Sequence, residues 1–208
     1  MFYRLPPNLV LRSPWRPYRL RRGERVLTLK AGHAFPPGHP TTRLCLTILA
    51  QVLESGRPAR LLDVGCGSGI LGLAGAALGV SRVVGVDLRP VSARIALDNA
   101  RANALAGEGM VVIQGSTECL KSGFHLIVAN LPPAVQLAKA AELNRLAAPG
   151  AALILSGFKD TQEEPVWEIF RQAGWELTSR LTRDEWVAEL PPELSFTWVA
   201  GLLKQSGA

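Results

Sequence analysis

Residues 61 to 69 read Leu-Leu-Asp-Val-Gly-Cys-Gly-Ser-Gly, an apolar run that reaches a carboxylate and then three glycines at alternate positions. Gly65, Gly67 and Gly69 permit a tight turn and a close approach to a ligand, and a helix starting there offers free N–H groups. This is the chemistry of a nucleotide-cofactor loop. A dinucleotide loop is spaced G-x-G-x-x-G. Here the third glycine comes one residue early and Ile70 stands where that pattern puts glycine. The pattern is D-x-G-x-G-x-G, opening at Asp63. A second acid supports it, because Arg82-Val-Val-Gly-Val-Asp87 is another buried-strand run and Asp87 follows Gly65 by one strand-helix-strand step. That places Asp87 at a strand's carboxyl end, where it can accept both hydroxyls of a ribose. The alternative for Asp87 is a cap on the helix opening near Pro90. In Val128-Ala-Asn-Leu-Pro-Pro133 the Asn130 side-chain oxygen and the Leu131 carbonyl are acceptors suited to the hydrogens of an amine. Pro132 and Pro133 stiffen that turn and donate nothing. The alternative here is a plain strand-to-helix turn.

These residues need a frame of alternating elements. Thr41 and Thr42 suit the cap of a helix running to about Glu54, and Pro58 precedes the first strand of the frame. The pattern then predicts strand 60–64, helix 69–79, strand 82–87, helix 90–104, strands 110–114 and 124–129, helix 134–147, strand 151–155, helix 161–173, and strands near 175–183 and 195–203. Gly150 and Gly174 are read as helix ends. Alternation of this kind predicts an α/β, doubly wound, mostly parallel seven-stranded Rossmann-like sheet, which places Asn130 and Leu131 at the same end as the glycine loop. The last two strands, joined through Pro191-Pro192, have no room for a helix between them, so an antiparallel last strand is expected.

The chain of 208 residues, 48% apolar, fits one α/β domain with a large core. Residues 1–30 are read as a basic Pro/Arg-rich arm and residues 31–208 as the domain. The arm holds eight Lys or Arg against Glu24, while the remaining 178 residues hold 15 basic and 16 acidic groups. With Trp15 and Tyr18 interleaved, it suits RNA or an acidic protein surface; the alternative is a solvated segment folded along the domain. Three cysteines at 45, 66 and 119 form no C-x-x-C pair, so no disulfide framework and no metal site are expected. With no apolar leader and no run near ~18 apolar residues, a soluble, unprocessed, cytoplasmic protein without membrane contact is expected. His39 is open between lining a pocket and capping the following helix. His33 and His125 show no partner pattern, and Trp167, Trp175 and Trp186 are read as core or rim.

The glycine loop resembles the first motif of class I S-adenosylmethionine (SAM) methyltransferases. The blocks Gly38-His-Pro-Thr-Thr-Arg-Leu-Cys-Leu46, Leu62-Asp-Val-Gly-Cys-Gly-Ser-Gly-Ile70, Val84-Gly-Val-Asp87, Val128-Ala-Asn130, Leu155-Ser-Gly157 and Trp198-Val-Ala-Gly-Leu-Leu-Lys204 are similar, in that order, to the PrmA-type ribosomal-protein methyltransferases over about residues 25 to 204. The resemblance implies a SAM-dependent N-methyltransferase of a protein amine, lysine or α-amine, with a ribosomal protein among the substrates. It implies cofactor contacts from the loop (Asp63, Gly65, Cys66, Gly67, Gly69), from the second acid and its neighbour (Asp87, Leu88) and from the base end (Ser116, Thr117). A lid would contribute Phe35, His39 and Thr41, while Asn130 would both contact the cofactor and, with Leu131, face the amine. The family usually carries an amino-terminal domain that grips its substrate, and in its place only the basic arm of residues 1–30 is expected here. Its Gly-Thr-Gly-x-His lid segment is Pro36-Pro-Gly-His39, and Gly115-Ser116 stands where many relatives carry Gly-Asp for the adenine amino group. The Ser116 bond is therefore expected to lack charge assistance. Pro133 occupies the place where base-modifying enzymes put a stacking ring. The alternatives are an RNA or small-molecule methyltransferase, or a catalytically silent SAM-binding protein.

Overall fold

A computed structural model describes residues 2–30, 38–185 and 196–205. Phe35, His33, Trp186 and Pro191-Pro192 lie outside the described residues. The central sheet is built from β4 (Arg60–Val64), β5 (Arg82–Asp87), β6 (Met110–Gln114), β7 (Phe124–Asn130), β8 (Ala147–Lys159), β9 (Trp175–Glu185) and β10 (Phe196–Gln205), in the order β6-β5-β4-β7-β8-β10-β9. The first five in that order are parallel, and β10 is antiparallel to both β8 and β9. Strand neighbours divide between the two faces. Leu61, Leu126, Val128 and Ile154 join one core, under α1 (Pro40–Ser55), α2 (Ile70–Ala77) and the end of α3 (Pro90–Ala102). Leu62, Ile127, Ala129 and Leu155 join the other, under α4 (Pro133–Leu146) and α5 (Glu163–Gln172). Burial on both faces explains why these strands read as continuous apolar runs. Pro40, Pro90 and Pro133 each open a helix, where a missing N–H costs nothing. No helix among the described residues is long and apolar enough to cross a membrane.

Two local expectations need correction. The cap of α1 is His39 rather than Thr41 or Thr42: the Thr41 N–H donates to His39 Nδ1 at 3.3 Å, and both threonines are buried inside the first turn. Gly150 does not end a helix. The helix α4 stops at Leu146, and Gly150, with φ +70°, lies within β8, whose pairing with β7 shifts register between Phe124 and Leu126. The basic amino-terminal segment is folded along the domain, the alternative stated for it. It contains β1 (Phe2–Leu5), β2 (Leu9–Arg12) and β3 (Arg25–Thr28), a three-stranded sheet whose Leu9, Leu11 and Leu27 are buried in the same core as α1 and α2. The apolar residues of those short strands find this core while the arginines stay outside. Asn99, 1% exposed on α3, pins the segment: its Oδ1 accepts from Lys30 N (2.9 Å), and its Nδ2 donates to the Lys30 and Ser68 carbonyls (both 2.9 Å). The same side chain thus ties the amino-terminal segment to the glycine loop.

Candidate active site

The carboxyl ends of β4, β5, β6 and β7 open into a cavity of about 470 Å³. The glycine loop forms its floor, with Gly65, Gly67 and Gly69 at φ +65°, +57° and +78°. Gly65 is needed for a second reason, because a Cβ there would lie 2.5 Å from Leu131 Cδ2 across the cleft. Asp87 closes one side. Its Oδ2 accepts from Gly67 N and its Oδ1 from Arg89 N, both at 2.9 Å, so each oxygen keeps a lone pair for a further donor. Leu88 and Val135, 68% and 40% exposed, are among the few large apolar side chains left open, and both line the cavity as walls for a flat group. Gly115, Ser116 and Thr117 close the end of that slot, and the Thr117 Oγ1 is buried without a partner.

At the other end stand Asn130, Leu131, Pro132, His39 and Trp198. The Asn130 Nδ2 reaches Thr42 Oγ1 at 3.5 Å, while its Oδ1 is buried without a hydrogen-bond partner. The Leu131 carbonyl accepts from Gln136 Nε2 at 3.0 Å, so one of its lone pairs is engaged. Gln136, fully buried on α4, also donates to the Ser156 carbonyl at 2.6 Å and fixes the turn from within. The ring of His39 meets Trp198 edge-on, centroids 4.8 Å apart, and burial lowers the His39 pKa against a smaller opposing pull from Glu185. Neutral imidazole is therefore the favoured form. Of the two roles open for His39, the structure shows both: it caps α1 and lines the cavity.

Other expected residues lie behind the lining rather than on it. Asp63, 2% exposed, accepts from Gly72 N at 2.8 Å and so anchors the start of α2; burial pushes its carboxyl up to about 7. Cys66 is buried beneath the loop, its sulfur close to where a Cβ on Gly85 would sit, and burial raises its thiol pKa, which removes nucleophilic character. Gly69 caps α2, and Thr41 is enclosed in α1. Lys139, Gln136 and Trp198 were not among the expected site residues. Gln136 left a signal, since it shares the buried face of α4 with Ala140 and Leu143, where a polar residue needs a partner. Lys139 left none, because its partners come from a different element.

Sheet order, the inserted antiparallel β10 and a cleft at the glycine loop define a Rossmann-like fold of the methyltransferase type. A ribosomal protein L11 methylase structure from Lactobacillus delbrueckii subsp. bulgaricus superposes with TM-score 0.81 at 20% identity, covering 99% of this chain and 97% of that one. A magnesium protoporphyrin IX methyltransferase from Synechocystis, solved with bound SAH, superposes with TM-score 0.62 at 17% identity over 76% of this chain and 80% of that one. The model of the family described as ribosomal protein L11 methyltransferase (PrmA) matches residues 3–190, and the chain belongs to that family. The ribosomal protein L11 methyltransferase of Syntrophotalea carbinolica is 40% identical over 88% of this chain and 60% of its own length. That of Pelotomaculum thermopropionicum is 38% identical over 87% and 58%. The chain thus spans about 60% of the length of the curated relatives it matches.

Proposed function

We propose that this protein is a SAM-dependent N-methyltransferase acting on a protein amine, lysine or α-amine, with a ribosomal protein as the favoured substrate. The observation that carries the reading is the unpartnered, buried Asn130 Oδ1 at the mouth of a cavity floored by the glycine loop. A buried acceptor left open is costly, and an incoming N–H satisfies it. The cavity fits SAM: the glycines leave room for a backbone-hugging nucleoside, Asp87 has lone pairs for two ribose hydroxyls, and Leu88 and Val135 suit the faces of a base. Bound there, SAM supplies a methyl group already activated on a sulfonium, which leaves positioning as the main task. Asn130 Oδ1 would accept an amine hydrogen and aim the nitrogen lone pair. The second lone pair of the Leu131 carbonyl is a weaker candidate for the same task. A lysine amine, mostly protonated in water, loses its proton more readily when desolvated among Pro132, Leu131 and Trp198.

For recruitment, Trp15 is 86% exposed between the basic residues of the 13–24 loop, where Arg16, Arg19, Arg21 and Arg22 are also exposed. That surface suits a phosphate-rich or acidic face of the substrate assembly. The thiols of Cys45, Cys66 and Cys119 are free, which fits a cytoplasmic setting. The test is transfer of tritium from labelled SAM into size-fractionated lysate, with protease and RNase controls. Protease-sensitive label that disappears in Asn130→Ala supports the reading. RNase-sensitive label would move the acceptor to RNA, and absence of SAM binding up to millimolar ligand would end the proposal.

A further inference from the structure

We infer that the loop of residues 13–24 is a docking site for single-stranded RNA, in which the Trp15 indole stacks on a base while Arg16, Arg19, Arg21 and Arg22 hold the neighbouring phosphates. The inference rests on the recruitment surface described above and names its partner, and it needs neither bound SAM nor methyl transfer.

The loop is tied down from within. Turns close both of its ends, with Arg16 N donating to the Ser13 carbonyl at 3.2 Å and Glu24 N to that of Arg21 at 3.1 Å. Arg12 Nη1 donates to the Arg16 carbonyl at 2.8 Å, and Asn8 Nδ2 to that of Gly23 at 2.6 Å. Glu24, the single acid in residues 1–30, is engaged inside the loop: it accepts from the Tyr18 hydroxyl (2.5 Å) and Arg21 N (2.9 Å) and pairs with Arg4 (3.4 Å). That leaves Arg16, Arg19, Arg21 and Arg22 exposed and without an ion pair among the described residues. The other rings of the segment are engaged as well. Phe2 and Tyr18 lie 5.2 Å apart with Arg4 over both, Arg16 stands over Phe2, and Arg43 over Tyr3. Trp15 keeps its face free: it is 86% exposed, with no ring, cation or hydrogen-bond partner among the described residues. A bare indole set among guanidinium groups is matched by a strand that offers π-faces and phosphates together. The loop's cations are all arginine, whose forks meet phosphate oxygens two at a time. An acidic protein face would answer the charge and leave the indole in water, and a duplex keeps its bases stacked out of reach.

The test is fluorescence anisotropy of the full chain with a labelled RNA strand of about 12 nucleotides, set beside the same backbone carrying abasic sites, an RNA duplex and an acidic peptide of equal charge. Binding to the strand should weaken with salt at a log–log slope of about −3, as four phosphate contacts on a single strand require. Trp15→Ala should lower affinity about 5- to 100-fold with the slope kept, and the abasic strand should bind the wild type as poorly. Trp15→Phe should recover part of that loss. Joint replacement of the four arginines by glutamine should bring the slope close to zero, with melting unchanged. Absence of strand binding at about 50 mM salt overturns the inference. Binding indifferent to both Trp15→Ala and loss of the bases also overturns it, since that marks a contact by charge alone. Tighter binding of the peptide or the duplex overturns it too and moves the partner to protein or paired RNA. The titration is run without SAM, so failure of SAM binding or of methyl transfer leaves its result standing, and the two readings fail separately.

Discussion

Gly157 sits at φ +104°, and a Cβ there would stand 2.4 Å from the Leu131 carbonyl oxygen and 2.8 Å from its nitrogen. Backbone atoms cannot swing aside as a side-chain tip can, so Gly157→Ala should cost at least about 1–3 kcal/mol in chemical denaturation, from the forced conformation alone. The same change should lower methyl transfer by displacing the 130–132 turn. Asp63 gives a pH prediction. Its folded pKa, about 7, lies above its ordinary value of 3.8. The protonated form is favoured by folding, so its contribution is complete below the unfolded pKa and is lost as pH rises through the folded one. Between about pH 6 and pH 8 the wild type should lose roughly 1 kcal/mol relative to Asp63→Asn, which keeps an acceptor for Gly72 N; urea midpoints across that range check it. At this scale the glycine loop and Asp87 were legible because their spacing is fixed along the chain. The meeting of Lys139 with Ser116 was not, since the two are 23 residues apart on different elements.

Among the elements, the helix α4 acts on the site through one buried amide. Gln136 Nε2 donates to the Leu131 and Ser156 carbonyls, at 3.0 and 2.6 Å, and approaches that of Ala129 at 3.5 Å. Gln136→Leu keeps the bulk and leaves those carbonyls short of donors. It should cost about 1–3 kcal/mol by urea unfolding and reduce kcat more than it raises KM for SAM, because the turn carrying Asn130 loosens. The strands 60–64 and 82–87 were readable to the residue, since a parallel strand buried on both faces leaves an unbroken apolar run, and 110–114, an edge strand with Val111 47% exposed, was readable from its β-branched residues. Gly150 misled because a left-handed glycine serves a helix end and a strand irregularity equally well. His39 displaced the threonines as cap because Pro40 takes the first helical position, which leaves the residue before it to accept from Thr41.

For the molecule as a whole, the amino-terminal sheet was the least legible part. Its strands are four residues each, and their apolar residues are interleaved with arginines and prolines that break the pattern. The structure makes the two groups separable. Leu9 is fully buried, so Leu9→Ala should destabilise by about 2–5 kcal/mol, measured by denaturant unfolding. Joint replacement of Arg16, Arg19, Arg21 and Arg22 by glutamine should leave the unfolding midpoint nearly unchanged and flatten the salt dependence of substrate capture. The sheet order carries one more implication. Among the described residues β9 pairs with no strand of the sheet except β10, which wedges between it and β8. A growing chain therefore extrudes β9 with a helix to pack on but no strand to pair with, and β8 waits with a bare flank. Both remain sticky until the segment bearing Trp198 leaves the ribosome and zips the two together, so one wall of the cavity and the cure for a self-association hazard arrive in the same stroke.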